Sequence, residues 1–278
     1  MLRLVASILL LLPTVAFSQH ADALKQHVEI LASPDFNGRK SGSEGCEKAA
    51  AYLTTQLKLN GYSPEYQDFS FGRVKTKNIL AARVGPLDSV LIVCAHYDAI
   101  GPIRNSYCPG ADDNASGVAA VLELTKMIKT SRRTILFILF SGEEDGLIGS
   151  RFYVKHPKYP NDKTLFVLNL DMIGYLKPNV KACKPNVTKI LDDLYVKYPF
   201  APGVVILGGE DSDHESFADI GIPTAFLHTG LHPYYHKVGD TPDRLNYEGM
   251  SQIVLFANDL IKLLDNHDLP SYNIIGTN

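Results

Sequence analysis

The 278-residue chain is 45% hydrophobic and 21% charged, which is ordinary composition for one large or two small globular domains. Its formal net charge is −3, and with no basic run nothing marks it for nucleic acid. Beyond the N-terminus, no stretch is apolar for long enough to span a bilayer.

The N-terminus differs in kind from the rest. Arg3 is followed by LVASILLLLPTVAF, which closes on the small-residue end Ala16-Phe17-Ser18. A positive start, an apolar core and small residues before a cut site have the form of a secretory signal. The run is short against the roughly 20 residues of a spanning helix, and Pro13 interrupts it. Residues 1–18 are therefore expected to be a cleaved signal peptide and residues 19–278 the mature domain, exported to the periplasm or secreted. Cys46, Cys94, Cys108 and Cys183 can oxidise there, in any of three pairings. Their spacing contains no Cys-x-x-Cys, so a cysteine-based zinc site is not expected, and Cys94 lies in an apolar run that reads as core.

In chain order, Leu24, Val28 and Leu31 give residues 21–32 helical spacing, ended by Pro34. A Gly- and Ser-rich loop, 37–45, precedes a second helix over Glu44–Leu59, stopped by Asn60-Gly61. Tyr62–Phe71 and Lys77–Val84 alternate as edge or hairpin strands do, and Gly85-Pro86 is a turn. Val90–Ala95 is a buried strand, followed by His96, Asp98, a loop and a helix beginning near Ala115. A buried strand over Thr134–Phe140 runs into Ser141-Gly142-Glu143-Glu144-Asp145-Gly146, then a helix over Leu147–His156. Leu165–Leu170 is a third buried strand, ending in Asp171. Asn179–Tyr198 is expected to hold a helix within an irregular connection, Val204–Leu207 a strand, Glu215–Ile220 a short helix and Pro223–Leu227 a strand. An amphipathic helix over Tyr247–Leu264 precedes a polar tail. This alternation, with several strands apolar throughout, predicts a single α/β domain whose central sheet is flanked by helices on both faces.

Three apolar strands run into His96, Glu143-Glu144 and Asp171. One charge at a strand end is usually solvated loop. Recurrence at one sheet edge needs something to offset desolvation, and a metal ion does so directly. Of the adjacent pair Glu143 and Glu144, one can bind metal while the other accepts a proton; a solvated acidic turn is the alternative. Asp112-Asp113-Asn114 can equally cap the following helix. Asp98, two residues after His96, suits a carboxylate that orients the imidazole. His214 and His236 are both candidates for a further imidazole ligand. His156 reads as surface, and His228 and His232 are given no role.

The ordered set Ala95-His96-Tyr97-Asp98, Pro109 to Gly117, Glu143-Glu144-x-Gly-Leu-x-Gly-Ser, Asn169-Leu170-Asp171-Met172 and Tyr235-His236-x-x-x-Asp240-Thr241 resembles peptidase family M28, the zinc aminopeptidases. The resemblance spans nearly the whole mature chain and implies an M28-like domain with a mixed, largely parallel sheet, zinc exopeptidase-like. It implies two Zn2+ per chain: His96 and Asp171 on one, Glu144 and His236 on the other, Asp113 bridging both. Glu143 would be the general base, and Tyr235 would place a hydroxyl near the developing oxyanion. His214 falls outside that ligand set. Peptides with a free N-terminus would be the substrates, and a monomer is favoured. Glutaminyl cyclase, with one zinc, shares the fold, but it carries pocket tryptophans, one beside the final His. This chain has no Trp, and Tyr235 stands there. A non-catalytic binding domain of this fold would have lost ligands, and none is lost here.

Overall fold

The computed structural model describes residues 20–175, Leu194, Lys197, Tyr198, Val205, Ile206 and residues 212–267. The expected signal peptide, Cys183, most of the expected 179–198 helix and the polar tail lie outside the described residues.

The chain forms α1 (residues 20–31), α2 (Glu44–Leu59), β1 (Glu65–Phe71), β2 (Val74–Arg83), β3 (Leu87–His96), β4 (Gly101–Ile103), β5 (Ser106–Cys108), α3 (Gly117–Met127) and β6 (Arg133–Phe140). There follow α4 (Ile148–Lys155), β7 (Thr164–Leu170), β8 (Val205–Ile206), α5 (Glu215–Ala218), β9 (Thr224–Leu227) and α6 (Tyr247–Asn266). The main sheet has seven strands in the order β1-β2-β6-β3-β7-β9-β8. β6, β3, β7 and β9 run parallel, while β1, β2 and β8 pair antiparallel at the two sides.

Strand alternation divides the core. Leu91, Val93, Ala95, Ile135, Phe137, Leu139, Phe166, Leu168 and Leu170 face α1, α2, α3 and α6. Val90, Ile92, Cys94, Leu136, Ile138, Phe140 and Val167 face the thinner layer carrying Tyr153 of α4 and Phe217 of α5. A strand buried on both faces must read as an unbroken apolar run, as TILFILF does. Each such fully buried Ile, Leu or Phe contributes about 1.5–3 kcal/mol.

The loop expected after Asp98 contains a small hairpin, β4 paired with β5. Its two-residue turn is Arg104-Asn105, with Arg104 at φ 52°. The strands are three residues each, too short to leave a periodic signal. Cys46, Cys94 and Cys108 are buried and not bonded to one another.

Candidate metal centre

The parallel strands deliver their C-terminal ends to one edge. His96 is the last residue of β3, Glu143 and Glu144 follow β6, and Asp171 follows β7. The chain moves from β3 to one neighbour, β6, and then back across to the other, β7. The first crossover runs through α3 on one face and the second through α4 on the other. In open α/β sheets such a reversal leaves a crevice at the strand ends.

Five of the expected residues converge there. His96 Nε2 lies 3.3 Å from Asp171 Oδ1 and 3.4 Å from Asp113 Oδ1. His236 Nε2 lies 3.0 Å from Asp113 Oδ2 and 3.2 Å from Glu144 Oε2. Asp113 thus turns one oxygen to each imidazole. Two trios result, His96-Asp113-Asp171 and Asp113-Glu144-His236, each with its ligand atoms within 4.8 Å of one another. Glu143 Oε2 is 3.8 Å from His96 Nε2. His236, at 36% side-chain exposure, is the open side of the cluster; the side chains of His96, Asp113 and Glu144 are at 8% or less.

The remaining polar groups hold these in place. Asp98 is fully buried. Its backbone carbonyl lies 3.2 Å from His96 Nδ1, and its Oδ1 lies 3.7 Å from the same nitrogen. Its carboxylate also accepts Ser41 Oγ–H at 2.9 Å and the backbone N–H groups of Glu143 and Glu144 at 3.4 and 3.3 Å. One side chain therefore ties β3 to the loop after β6. Asp171 Oδ2 accepts from Ser212 Oγ at 2.8 Å, and its backbone carbonyl meets His228 Nδ1 at 2.9 Å. The helix-capping alternative for 112–114 falls to Asn114, whose Oδ1 accepts Gly117 N–H at 2.9 Å. Asp112 instead accepts Gly174 N–H at 2.7 Å and faces His232 Nε2 at 3.3 Å.

Tyr235 stacks on His236 with ring centroids 3.7 Å apart. His214 stacks on Phe226 and belongs to neither trio. His156 is exposed, as expected. Sequence reasoning missed Ser212, His228 and His232. A serine or a loop histidine carries no local mark of the carboxylate or carbonyl it will meet across the fold.

The electrostatics are those of a cluster short of positive charge. Burial pushes Glu143 up to about 10; His96 opposes the shift, and Asp171, Asp213 and Glu144 reinforce it. Burial and Asp113 push Glu144 to about 7. Burial also raises Asp113. Burial disfavours a charged His96, yet Glu143 and Asp171 hold it well above its usual value. Asp171 is drawn below the carboxylate range by His96 despite its own burial. Carboxylates this close cannot all ionise without added positive charge, and dications supply it. Glu144 Oε1 is buried with no hydrogen-bond partner. Imidazole nitrogens and carboxylate oxygens are zinc's usual non-thiolate ligands, so the residues present fit the metal.

A largely parallel sheet between helical layers, with paired His/carboxylate trios at its C-terminal edge, defines the zinc exopeptidase class. The chain belongs to peptidase family M28, which matches residues 78–260. A probable leucine aminopeptidase of Arthroderma otae is 29% identical over 254 residues, covering 81% of this chain and 70% of that relative. Among solved structures, BSAP, a zinc aminopeptidase from Bacillus subtilis, superimposes with a TM-score of 0.77 at 16% identity, covering 90% of this chain and 96% of that one. Porphyromonas gingivalis glutaminyl cyclase gives 0.73 at 17% identity, covering 87% and 97%. Among the described residues, no helix is long and apolar enough to cross a membrane.

Proposed function

We infer that the chain is a zinc-dependent aminopeptidase that removes N-terminal residues from peptides and works with two zinc ions, held by His96, Asp113, Glu144, Asp171 and His236. The observation that carries this reading is Asp113, whose two oxygens face two imidazoles at 3.4 and 3.0 Å, each inside its own trio. Bound zinc would supply Lewis acidity toward the scissile carbonyl and lower the pKa of a nucleophilic water. Glu143 is the general base: its carboxylate takes the proton of the attacking water and passes it to the leaving amine. Burial holds that carboxyl at about 10 in the metal-free cluster, so the positive charge that completes the site also readies the base. Asp98 acts through His96, fixing which ring nitrogen faces the cluster. Tyr235, stacked beside His236, presents its hydroxyl to the developing oxyanion. Residues 1–18 are a signal peptide that directs export.

The test is release of single residues from a panel of aminoacyl-anilides, with and without a chelator, alongside elemental analysis and an N-terminal glutaminyl peptide. Free amino acids, abolished by chelation, with close to two zinc per chain, are expected. Ammonia release from the glutaminyl peptide, saturating at one zinc, would replace this reading with a cyclase.

A further inference from the structure

Asp113 can face both imidazoles because the segment before it is gripped from two sides. On one side is Arg39, 0% exposed. It projects from a turn in which Asn37, Gly38 and Arg39 have φ of 43°, 71° and 51°. A Cβ on Gly38 would meet Cys108 O at 2.5 Å, so this turn lies flush against the β4–β5 hairpin. The guanidinium donates to carbonyls: Nε to Tyr97 O at 3.0 Å, Nη1 to Leu31 O at 2.6 Å and Pro109 O at 2.8 Å, and Nη2 to Gly110 O at 2.8 Å. A Cβ on Gly110 would lie 2.8 Å from Nη2 and 2.4 Å from Asp113 O, so the cation and the metal-ligand turn leave no room between them.

On the other side is Asp240, also 0% exposed. Its Oδ1 accepts Asp112 N–H at 2.9 Å and its Oδ2 accepts Asp113 N–H at 3.1 Å, while its backbone carbonyl accepts Ala111 N–H at 3.2 Å. Residues 109–113 therefore lie between a buried cation that takes their carbonyls and a buried anion that takes their amides. An isolated buried charge is costly, and here the peptide dipoles between the two solvate both. Burial pulls the Arg39 pKa down, and Asp240 is the largest charge opposing that shift. Asp240 also follows His236 by four residues, with its N–H bonded to Lys237 O at 3.1 Å. It therefore joins the turn carrying Asp113 to the turn carrying His236. His96 and Asp171 depend on the pair less, since they sit on or next to the ends of β3 and β7 and are reached only through the Arg39 bond to Tyr97 O.

We propose that Arg39 and Asp240 are a coupled pair of positioning residues that fix the shared carboxylate of Asp113, and through it the trio Asp113-Glu144-His236. This rests on the two-zinc reading of the site. The test strips the full-length protein of metal and measures stepwise zinc affinity by competition with a chromophoric chelator. The variants are Asp240→Asn, Arg39→Met, Arg39→Lys and Arg39→Met with Asp240→Asn. Arg133→Met is the control, because that buried arginine donates to Leu264 O and Asp265 O at the start of β6, the opposite end of the strand from Glu143.

The parent should bind two zinc ions. Asp240→Asn and Arg39→Met should weaken one zinc about 10–100-fold, the usual scale for a partner of a metal ligand, and the other, which shares only Asp113 with it, by less. Arg39→Lys should recover part of that loss. The double variant should fall well short of the product of the single effects, because both act through one segment. The control should melt lower with unaltered zinc affinity. If Asp240→Asn and Arg39→Lys only lower the melting temperature and leave both affinities intact, the pair is structural and the proposal fails. Independent, multiplicative effects would overturn the coupling. A parent that binds fewer than two zinc ions would refute the two-zinc reading instead. Should Arg39→Met fail to fold, Asp240→Asn and Arg39→Lys decide the matter.

Discussion

Glu143 and Glu144 are adjacent and chemically alike, and their positions separate the roles proposed for them. Glu144 Oε2 lies 3.2 Å from His236 Nε2 inside a ligand trio, whereas Glu143 stands outside both trios, 3.8 Å from His96. Glu143→Gln keeps the shape but cannot accept a proton. It should bind zinc normally and lose about 10²–10⁴-fold in rate, the scale of a general base. Glu144→Gln should lose one metal first and activity as a consequence, and excess zinc should restore part of its rate but none of the Glu143 variant's. Metal content measured beside kcat checks both, and an active, fully loaded Glu143→Gln would refute the assignment. His214 carries a pH-dependent share of the stability. Burial lowers its pKa to about 4, and neither ring nitrogen has a hydrogen-bond partner. The folded pKa is depressed, so from pH 6.5 down to 4 the unfolded chain takes up a proton that the folded one refuses. That contribution is present above pH 6.5 and is lost on acidification, by up to about 3 kcal/mol. His214→Phe keeps the stack on Phe226 without the titration. Its melting-temperature advantage over the parent should grow as pH falls from 6.5 to 4, and a constant difference would sink the idea.

At the scale of elements, the loop between β6 and α4 carries both glutamates and depends on a residue from another strand. Asn78 of β2 is fully buried. Its Oδ1 accepts Ser141 N–H at 3.2 Å, and its Nδ2 donates to Gly149 O at 2.9 Å and Gln67 Oε1 at 2.9 Å. It braces both ends of the loop. A Cβ on Gly149 would lie 2.5 Å from Asn78 Oδ1 and 2.2 Å from Ser141 O, which is why that position is glycine. Asn78→Ala leaves the buried Ser141 N–H without its partner, at about 1–3 kcal/mol. It should lower stability by about 1–3 kcal/mol and depress kcat more than zinc content. Denaturant titration and metal analysis together check this, and unchanged kcat would mean that the loop holds its shape without the brace.

For the molecule as a whole, the candidate metal cluster joins segments far apart in sequence. Asp113, Glu144 and Asp171 are buried or nearly so, and each has a ligand oxygen within 4.8 Å of its trio partners. Chelation leaves these like charges facing one another, so the stripped protein should melt at lower temperature near neutral pH. Scanning calorimetry before and after chelation, followed by zinc add-back, checks it; an unchanged transition would mean that zinc does not stabilise this cluster.

The sequence by itself determined the sorting of residues into buried strands and helices. Burial on both faces forces an unbroken apolar run and burial on one face forces a period, and both leave their mark in the order of residues. Through the resemblance of its ordered motifs to family M28 it also pointed to His96, Asp113, Glu144, Asp171 and His236, which the fold brings together in two trios. What it left open was decided by tertiary structure. The strand order brings His96 of β3 between the loops after β6 and β7, and no local pattern encodes which strands become neighbours. The choice of Asn114, and not Asp112 or Asp113, as the residue that bonds Gly117 was equally open, since all three suit that task chemically. Arg39, read as part of a polar loop, is buried against four carbonyls. Asp240 and His232 acquire partners more than a hundred residues away in the chain. A buried polar group is specified by what surrounds it in space, and that exists only once the chain has closed around it.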